Sequence, residues 1–201
     1  MELQKVTIAI QAGGQSRRMG EDKGLVLLNG EPMIRHVLNR VSGIGDETII
    51  TTNNHIGYTQ FECRLVPDHE PGAGALPGLL TALRAAHGRL VLVVACDMPF
   101  LHRNLLSYQL SLAEDADIVV PYWNGYPQPL HAVYRRETCL PAVQRALAAG
   151  KRRMTSFYAD LRVCEINESE VAQFSPEGLS FFNANTPEEL AQAEKIFHHL
   201  R

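Results

Sequence analysis

Between residues 11 and 23 the chain reads Gln11-Ala-Gly-Gly-Gln-Ser-Arg-Arg-Met-Gly-Glu-Asp-Lys23, directly after the apolar run Val6 to Ile10. Gly13 and Gly14 have no Cβ, so their backbone can take unusual dihedrals and bring N–H groups close to an anion. Arg17, Arg18 and Lys23 add full positive charge. Such a loop is suited to phosphate. It is not a Walker A loop, because Glu21 and Asp22 separate Gly20 from Lys23 and Gly24 follows. Nor is it the G-x-G-x-x-G dinucleotide fingerprint, because Gly13 and Gly14 are adjacent.

Asp97, in Ala95-Cys96-Asp97-Met98-Pro99, follows the longest apolar run of the chain. A carboxylate at such a strand exit suits a hard cation, and magnesium needs only one or two carboxylates beside phosphate oxygens and water. The other reading is a helix N-cap ahead of Met98-Pro99. Asp68, after Pro67, reads equally as a site residue or a turn residue. Gly74-Ala-Leu-Pro-Gly78 precedes a helix, where small residues would let backbone amides approach a ligand. Lys151-Arg152-Arg153 follows a helix end and reads either as an anion site or as a solvated cluster favoured by the helix dipole. The eight histidines form no ligand pattern, and no Ser-His-Asp or Cys-His spacing supports a nucleophile.

The elements that must position these residues follow from pattern. Val6–Ile10 reads as a buried parallel strand, with the glycine loop at its carboxyl end. Pro32 opens a helix whose apolar face is Met33, Ile34, Val37, Leu38 and Val41, stopped by Gly43 and Gly45. Strands are expected at 48–51 and 64–66, a helix at 79–86, and the central strand at 90–95. Then come a helix near 103–113, strands at 118–120 and 130–134, a helix at 140–149 closed by Gly150, and a C-terminal helix from Pro187. The stretches 72–77 and 124–129 read as irregular. The alternation predicts an α/β fold, a single Rossmann-like, doubly wound and mostly parallel sheet with helices on both faces. In such a sheet ligands bind outside the carboxyl ends of the strands, where both the glycine loop and Asp97 fall.

With 201 residues, one large domain suffices. The net charge of −3 argues against nucleic acid as a partner, so an anion site must be built locally. Cys63, Cys96, Cys139 and Cys164 are too scattered for a zinc knuckle or a disulfide framework. No signal-peptide core or membrane-length apolar run is visible, so a cytoplasmic protein without membrane contact is expected.

The glycine loop resembles the x-A-G-G-x-S-x-R-M-G-x-D-K motif of the molybdenum cofactor guanylyltransferases, a branch of the nucleotidyltransferase superfamily. Every position matches except the first, where the family usually has Leu and this chain has Gln11; that position is expected to act through its backbone. Sugar nucleotidyltransferases differ in the loop, and the cytidylyltransferases for the same cofactor usually read A-A-G at Ala12-Gly13-Gly14. Asp97 matches the family's C-D-x-P magnesium ligand, Asp68 a nucleotide-site aspartate, and Gly74–Gly78 a G-P-L-A-G segment. Phe182-Asn-Ala-Asn-Thr-Pro187 looks like the family's N-x-N-T-P, with Asn183 and Asn185 near metal and acceptor phosphate, although Asn185 or Thr186 also reads as a helix cap. Thr51 stands where the family has an Asn in the base region, with Asn53 only a near neighbour.

The resemblance covers nearly the whole chain. It implies that the terminal phosphate of molybdenum-molybdopterin attacks the α-phosphorus of GTP, with Mg²⁺ as cofactor and pyrophosphate released. Lys23, Arg17 and Asp97 would do the catalytic work. Gln11, Ala12, Gly13, Gly14, Arg18, Lys23, Asp68, Gly78 and Asp97 would hold the nucleotide and metal, with Arg153, Asn183 and Asn185 on the molybdopterin side. Transient contacts with cofactor-biosynthesis proteins or client molybdoenzymes would follow. The alternatives are cytidylyl or another nucleotidyl transfer on the same scaffold, and a non-catalytic adaptor that binds GTP or molybdopterin.

Overall fold

The computed structural model describes residues 5–13, 22–68 and 74–199. Gly14, Arg17, Arg18 and Gly72 lie outside the described residues. In chain order the elements are β1 (Val6–Gln11), β2 (Leu27–Leu28), β3 (Glu31–Pro32), α1 (Met33–Val41), β4 (Glu47–Thr51), α2 (His55–Tyr58), β5 (Arg64–Val66) and α3 (Ala75–Ala85). Then follow β6 (Leu90–Ala95), α4 (Arg103–Ser111), β7 (Ile118–Trp123), β8 (Tyr126–Pro127), β9 (His131–Arg135), α5 (Arg136–Ala148), β10 (Val163–Ile166), α6 (Glu168–Val171) and α7 (Pro187–His199).

The main sheet runs β10-β7-β9-β6-β1-β4-β5, with β8 hydrogen-bonded to β7. It is parallel except around β9, which runs antiparallel between β6 and β7, and β8. Strand β1 lies at the point where the order turns: β4 and β5 extend from one side and β6 from the other. The register pairs Gln11 with Thr51 on β4 and with Ala95 on β6. The loop after β1 and the turn after β6 therefore leave the sheet side by side, at the crevice where doubly wound sheets bind ligands.

Alternation along the central strands divides the core. Ile8, Ile10, Leu92 and Val94 pack with Ile34, Val37 and Val41 of α1, Leu105 and Leu106 of α4 and Val171 of α6. Ala9, Val91 and Val93 pack against Leu76, Leu79, Ala82 and Leu83 of α3 and Cys139, Ala142, Val143 and Ala146 of α5. Covered on both faces, these strands have no polar side to show, and each fully buried Leu or Val contributes about 1.5–3 kcal/mol. A third cluster joins Leu28, Met33, Phe100, Ala184 and Ala193, holding α7 near the β2–β3 hairpin.

Several boundaries differ from expectation. Helix α3 starts at Ala75 rather than 79, so Leu76, Pro77 and Gly78 form its first turn instead of a preceding loop. Proline is tolerated there because first-turn N–H groups lack intrahelical partners. Helix α5 starts at Arg136, one turn before the expected 140, and carries Pro141 inside it. Burial of Cys139, Ala142, Val143 and Ala146 on its face offsets the hydrogen bond that Pro141 cannot make.

Two hairpins were not expected, one of them in the stretch 124–129 read as irregular. Asn29-Gly30 and Asn124-Gly125 all have positive φ, at 51°, 82°, 52° and 75°. They form the two-residue turns of β2–β3 and β7–β8, the conformation that Asn-Gly favours. Strand β10 and helix α6 were also unforeseen; Asn167 and Glu170 form a full capping box at the start of α6.

Candidate active site

Lys23 and Asp97 meet at the crevice between β1 and β6. The Lys23 ammonium lies 3.6 Å from Asp97 Oδ2 and donates to Asn185 Oδ1 at 2.5 Å. Asp97 is 7% exposed, and burial pushes its carboxyl above the usual carboxylate range against the pull of the Lys23 charge. Its backbone carbonyl accepts from Ala184 N at 3.1 Å, which fastens the 183–185 segment to the strand exit. Residues separated by 162 positions in sequence thus form one charged cluster.

Helix α7 holds this segment in place. Thr186 Oγ1 accepts from Glu189 N at 3.2 Å, and Glu189 Oε2 accepts from Thr186 N at 3.0 Å, a reciprocal capping box. The same Glu189 oxygen accepts from Asn185 N at 2.7 Å. Thr186 is therefore the cap, which leaves the Asn185 side chain for Lys23. Asn183 turns its amide locally, donating to Phe181 O at 2.8 Å.

The exit of the glycine loop is tied down by Asp22. Its carboxylate accepts from Tyr58 Oη at 2.6 Å, Asn54 Nδ2 at 3.1 Å and Gly24 N at 3.2 Å. Gly24 must be glycine here, since a Cβ would sit 2.2 Å from Tyr58 Oη. Asp22 was legible only as a motif position and Tyr58 gave no signal, because its role depends on α2 packing against Asp22 and Gly24.

The opposite wall of the crevice carries Asp68, which is 8% exposed. Thr81 Oγ1 donates to Asp68 Oδ1 at 3.0 Å, and Asp68 N donates to Asn53 Oδ1 at 3.1 Å. Asn53, the residue near the family's missing Asn, is thus engaged in holding Asp68. A Cβ on Gly13 would lie 3.5 Å from Asp68 Oδ2, and one on Gly78 would lie 2.9 Å from Gln11 Oε1. Ala12 N donates to Thr51 O at 2.9 Å and Cys96 N to Gln11 O at 3.1 Å, so both strands continue into the site.

Arg153 is exposed at the loop after α5 and is not joined to this cluster by a hydrogen bond or ion pair. Asn185 therefore sits with Lys23 rather than with Arg153. Among the described residues no three His, Cys, Asp or Glu side chains converge as a metal cage. The donor set suits magnesium nonetheless: one carboxylate, Asp97, at the strand exit, with phosphate oxygens and water left to complete the shell. The four cysteines are free thiols, and among the described residues no helix is long and apolar enough to cross a membrane.

The family model of the MobA-like NTP transferase domain matches residues 8–164. The chain belongs to the MobA-like NTP transferase family. Its sequence is 36% identical over 197 residues to a probable molybdenum cofactor guanylyltransferase of Pelotomaculum thermopropionicum, covering 98% of this chain and 96% of that one. It is also 36% identical over 191 residues to the molybdenum cofactor guanylyltransferase of Desulfosudis oleivorans, covering 94% of each chain. The crystal structure of molybdopterin-guanine dinucleotide biosynthesis protein A from Archaeoglobus fulgidus superposes with a TM-score of 0.82 at 29% identity, covering 96% of this chain and 99% of that one. The matched residues of the family model run from β1 into β10 and so include Lys23, Asp68 and Asp97.

Proposed function

We propose that this protein transfers GMP from GTP to molybdenum-molybdopterin, releasing pyrophosphate and forming the molybdopterin guanine dinucleotide cofactor. The observation that carries the reading is the Lys23–Asp97–Asn185 cluster at the β1/β6 crevice, in a chain whose relatives over nearly their full length are named guanylyltransferases. The chain acts as one nucleotidyltransferase unit, with the GTP and metal side in its first half and the molybdopterin side in its second. It needs no membrane or nucleic acid partner, and a cytoplasmic setting suits four free thiols.

The terminal phosphate oxygen of molybdopterin forms a bond to the α-phosphorus of GTP, and the bond to the bridging oxygen of the β-phosphate breaks. The electron pair leaves with pyrophosphate. A phosphate nucleophile is already anionic, so no protein nucleophile or general base is required. Catalysis then rests on alignment and charge neutralisation. Lys23 places its ammonium on the phosphates, and Asn185 fixes that ammonium through its side-chain oxygen. The backbone amide of Gly13 would line the phosphate path, and Gly13 keeps Asp68 within reach of the nucleotide. Arg17, Arg18 and Gly14 belong to the same loop and would add charge and N–H donors. Asp97 would hold magnesium, which when bound supplies Lewis-acid neutralisation of the phosphate charge. Arg153 and Asn183 are assigned to the acceptor side.

A nucleotide panel tests the reading. With magnesium and molybdenum-molybdopterin, GTP should yield pyrophosphate much faster than CTP or ATP. Equal or better use of CTP would replace guanylyl with cytidylyl transfer, and binding without pyrophosphate release would leave a non-catalytic adaptor.

A further inference from the structure

Gln11 is the one position of the glycine-loop motif that departs from the family pattern, and its side chain is not idle. The residue is 8% exposed, and its Nε2 is buried with no hydrogen-bond partner. A buried amide N–H left unpaired costs about 1–3 kcal/mol, a penalty that Leu at the same strand end would avoid. Its neighbours on this wall are satisfied by one another: Thr81 bonds to Asp68, and Asp68 to Asn53. Among the described residues of this wall, Gln11 keeps a buried donor without a partner.

The surroundings indicate what that donor meets. Gly78, in the first turn of α3, leaves bare backbone over the carboxamide, where a Cβ would approach Oε1 to 2.9 Å. Thr81 lies one helical turn further along the same helix, so Gln11 and Asp68 share one wall of the crevice. Lys23 and Asp97 mark the other side, where the ammonium suits the phosphates and the carboxylate their magnesium. This wall, with a glycine for close approach, an unpaired amide and the Asp68 carboxyl, suits the base end of a nucleotide rather than its phosphates.

We infer that the Gln11 carboxamide reads the nucleobase, its Nε2 donating a hydrogen bond to the 6-oxo oxygen of guanine. This inference rests on the guanylyl reading and assigns to Gln11 a specificity role that a backbone contact would not give. In the free protein the donor is unpaired; in the complex it gains an acceptor that an analogue lacking the oxygen withholds. A site built around a polar group rejects such an analogue because the group is then left unsatisfied.

Equilibrium titration calorimetry in magnesium buffer, without acceptor, tests this with GTP, CTP, 2-aminopurine riboside triphosphate and inorganic tripolyphosphate. The wild-type protein should prefer GTP to the 2-aminopurine analogue on the order of tenfold. In Gln11→Leu that preference should collapse toward unity while tripolyphosphate binds as before. Gln11→Met, which keeps the length of the side chain, should behave alike and serves if the Leu variant does not fold. If the wild type prefers GTP to CTP but Gln11→Met keeps the wild-type ratio of GTP to analogue, the base-reading role is wrong and internal water satisfies the amide. If the wild type does not prefer GTP to CTP, the guanylyl reading and this role fall together.

Discussion

Asp97 concentrates the conflict between burial and charge at this site. A carboxylate that is 7% exposed resists ionisation, and the nearby Lys23 ammonium opposes that resistance. Asp97→Asn keeps the shape and removes the anionic oxygen. Transfer should then fall by on the order of 10² or more while the fold survives, the scale expected for losing one electrostatic stabiliser. Steady-state pyrophosphate release at saturating magnesium, read beside a circular dichroism spectrum, checks it; near-normal turnover would leave Asp97 only its backbone link to Ala184. Asp97 and Lys23 were legible in sequence because each closes a strand–loop unit with a recognisable pattern. The contact between Lys23 and Asn185 was not, since no local rule joins residues so far apart.

At the scale of elements, α7 matters through the residue that caps its start as much as through its buried face. The Thr186–Glu189 capping box satisfies orphan backbone N–H groups and, through the same carboxylate, holds Asn185 N. Thr186→Ala should cost about 1 kcal/mol, the usual worth of an N-cap, measured as a shift in the urea unfolding midpoint. Because Asn185 is anchored by the same box, GTP-dependent turnover should fall as well. Unchanged stability and turnover together would mean that α7 is positioned by its Leu28, Met33 and Phe100 contacts alone. The Thr-Pro-Glu-Glu spelling announced this helix start, whereas the starts of α3 and α5 were misplaced because Pro77 and Pro141 sit inside helices that tertiary burial sustains.

Across the whole molecule, a buried polar network ties the antiparallel strand β9 to the segment that leads to Asn185. His131 is fully buried, and its Nε2 lies 2.8 Å from Ser180 Oγ, which also accepts from His102 N at 3.0 Å. Burial pulls the imidazole down to about 4 from an ordinary value of 6.5, so the folded protein holds it neutral. The unfolded chain binds that proton more readily. The associated stability is therefore fully present above about pH 6.5 and is lost as pH falls toward 4, a contribution of roughly 3 kcal/mol. Unfolding free energies measured across that window should show the decline in the wild type and a flatter profile in His131→Gln. Parallel profiles would assign the acid sensitivity to other groups.

Local pattern was enough for the layered α/β plan, the glycine loop and the strand exit at Asp97. Short β-branched apolar runs with no polar face read as strands covered on both sides, and adjacent glycines beside cations suit a backbone that turns sharply near an anion. The two Asn-Gly hairpins are written in the same local code, although the pattern reading did not expect them. The antiparallel insertion of β9 between β6 and β7 could not be read this way, because strand order depends on which exposed edges remain after the first strands have paired. The joining of Asn185 to Lys23, of Asp22 to Tyr58 and of Gln11 to Gly78 followed only from that arrangement. Each is a meeting of residues far apart in sequence that is set by the packing of whole elements, and whether a polar atom such as Gln11 Nε2 finds a partner is decided only there.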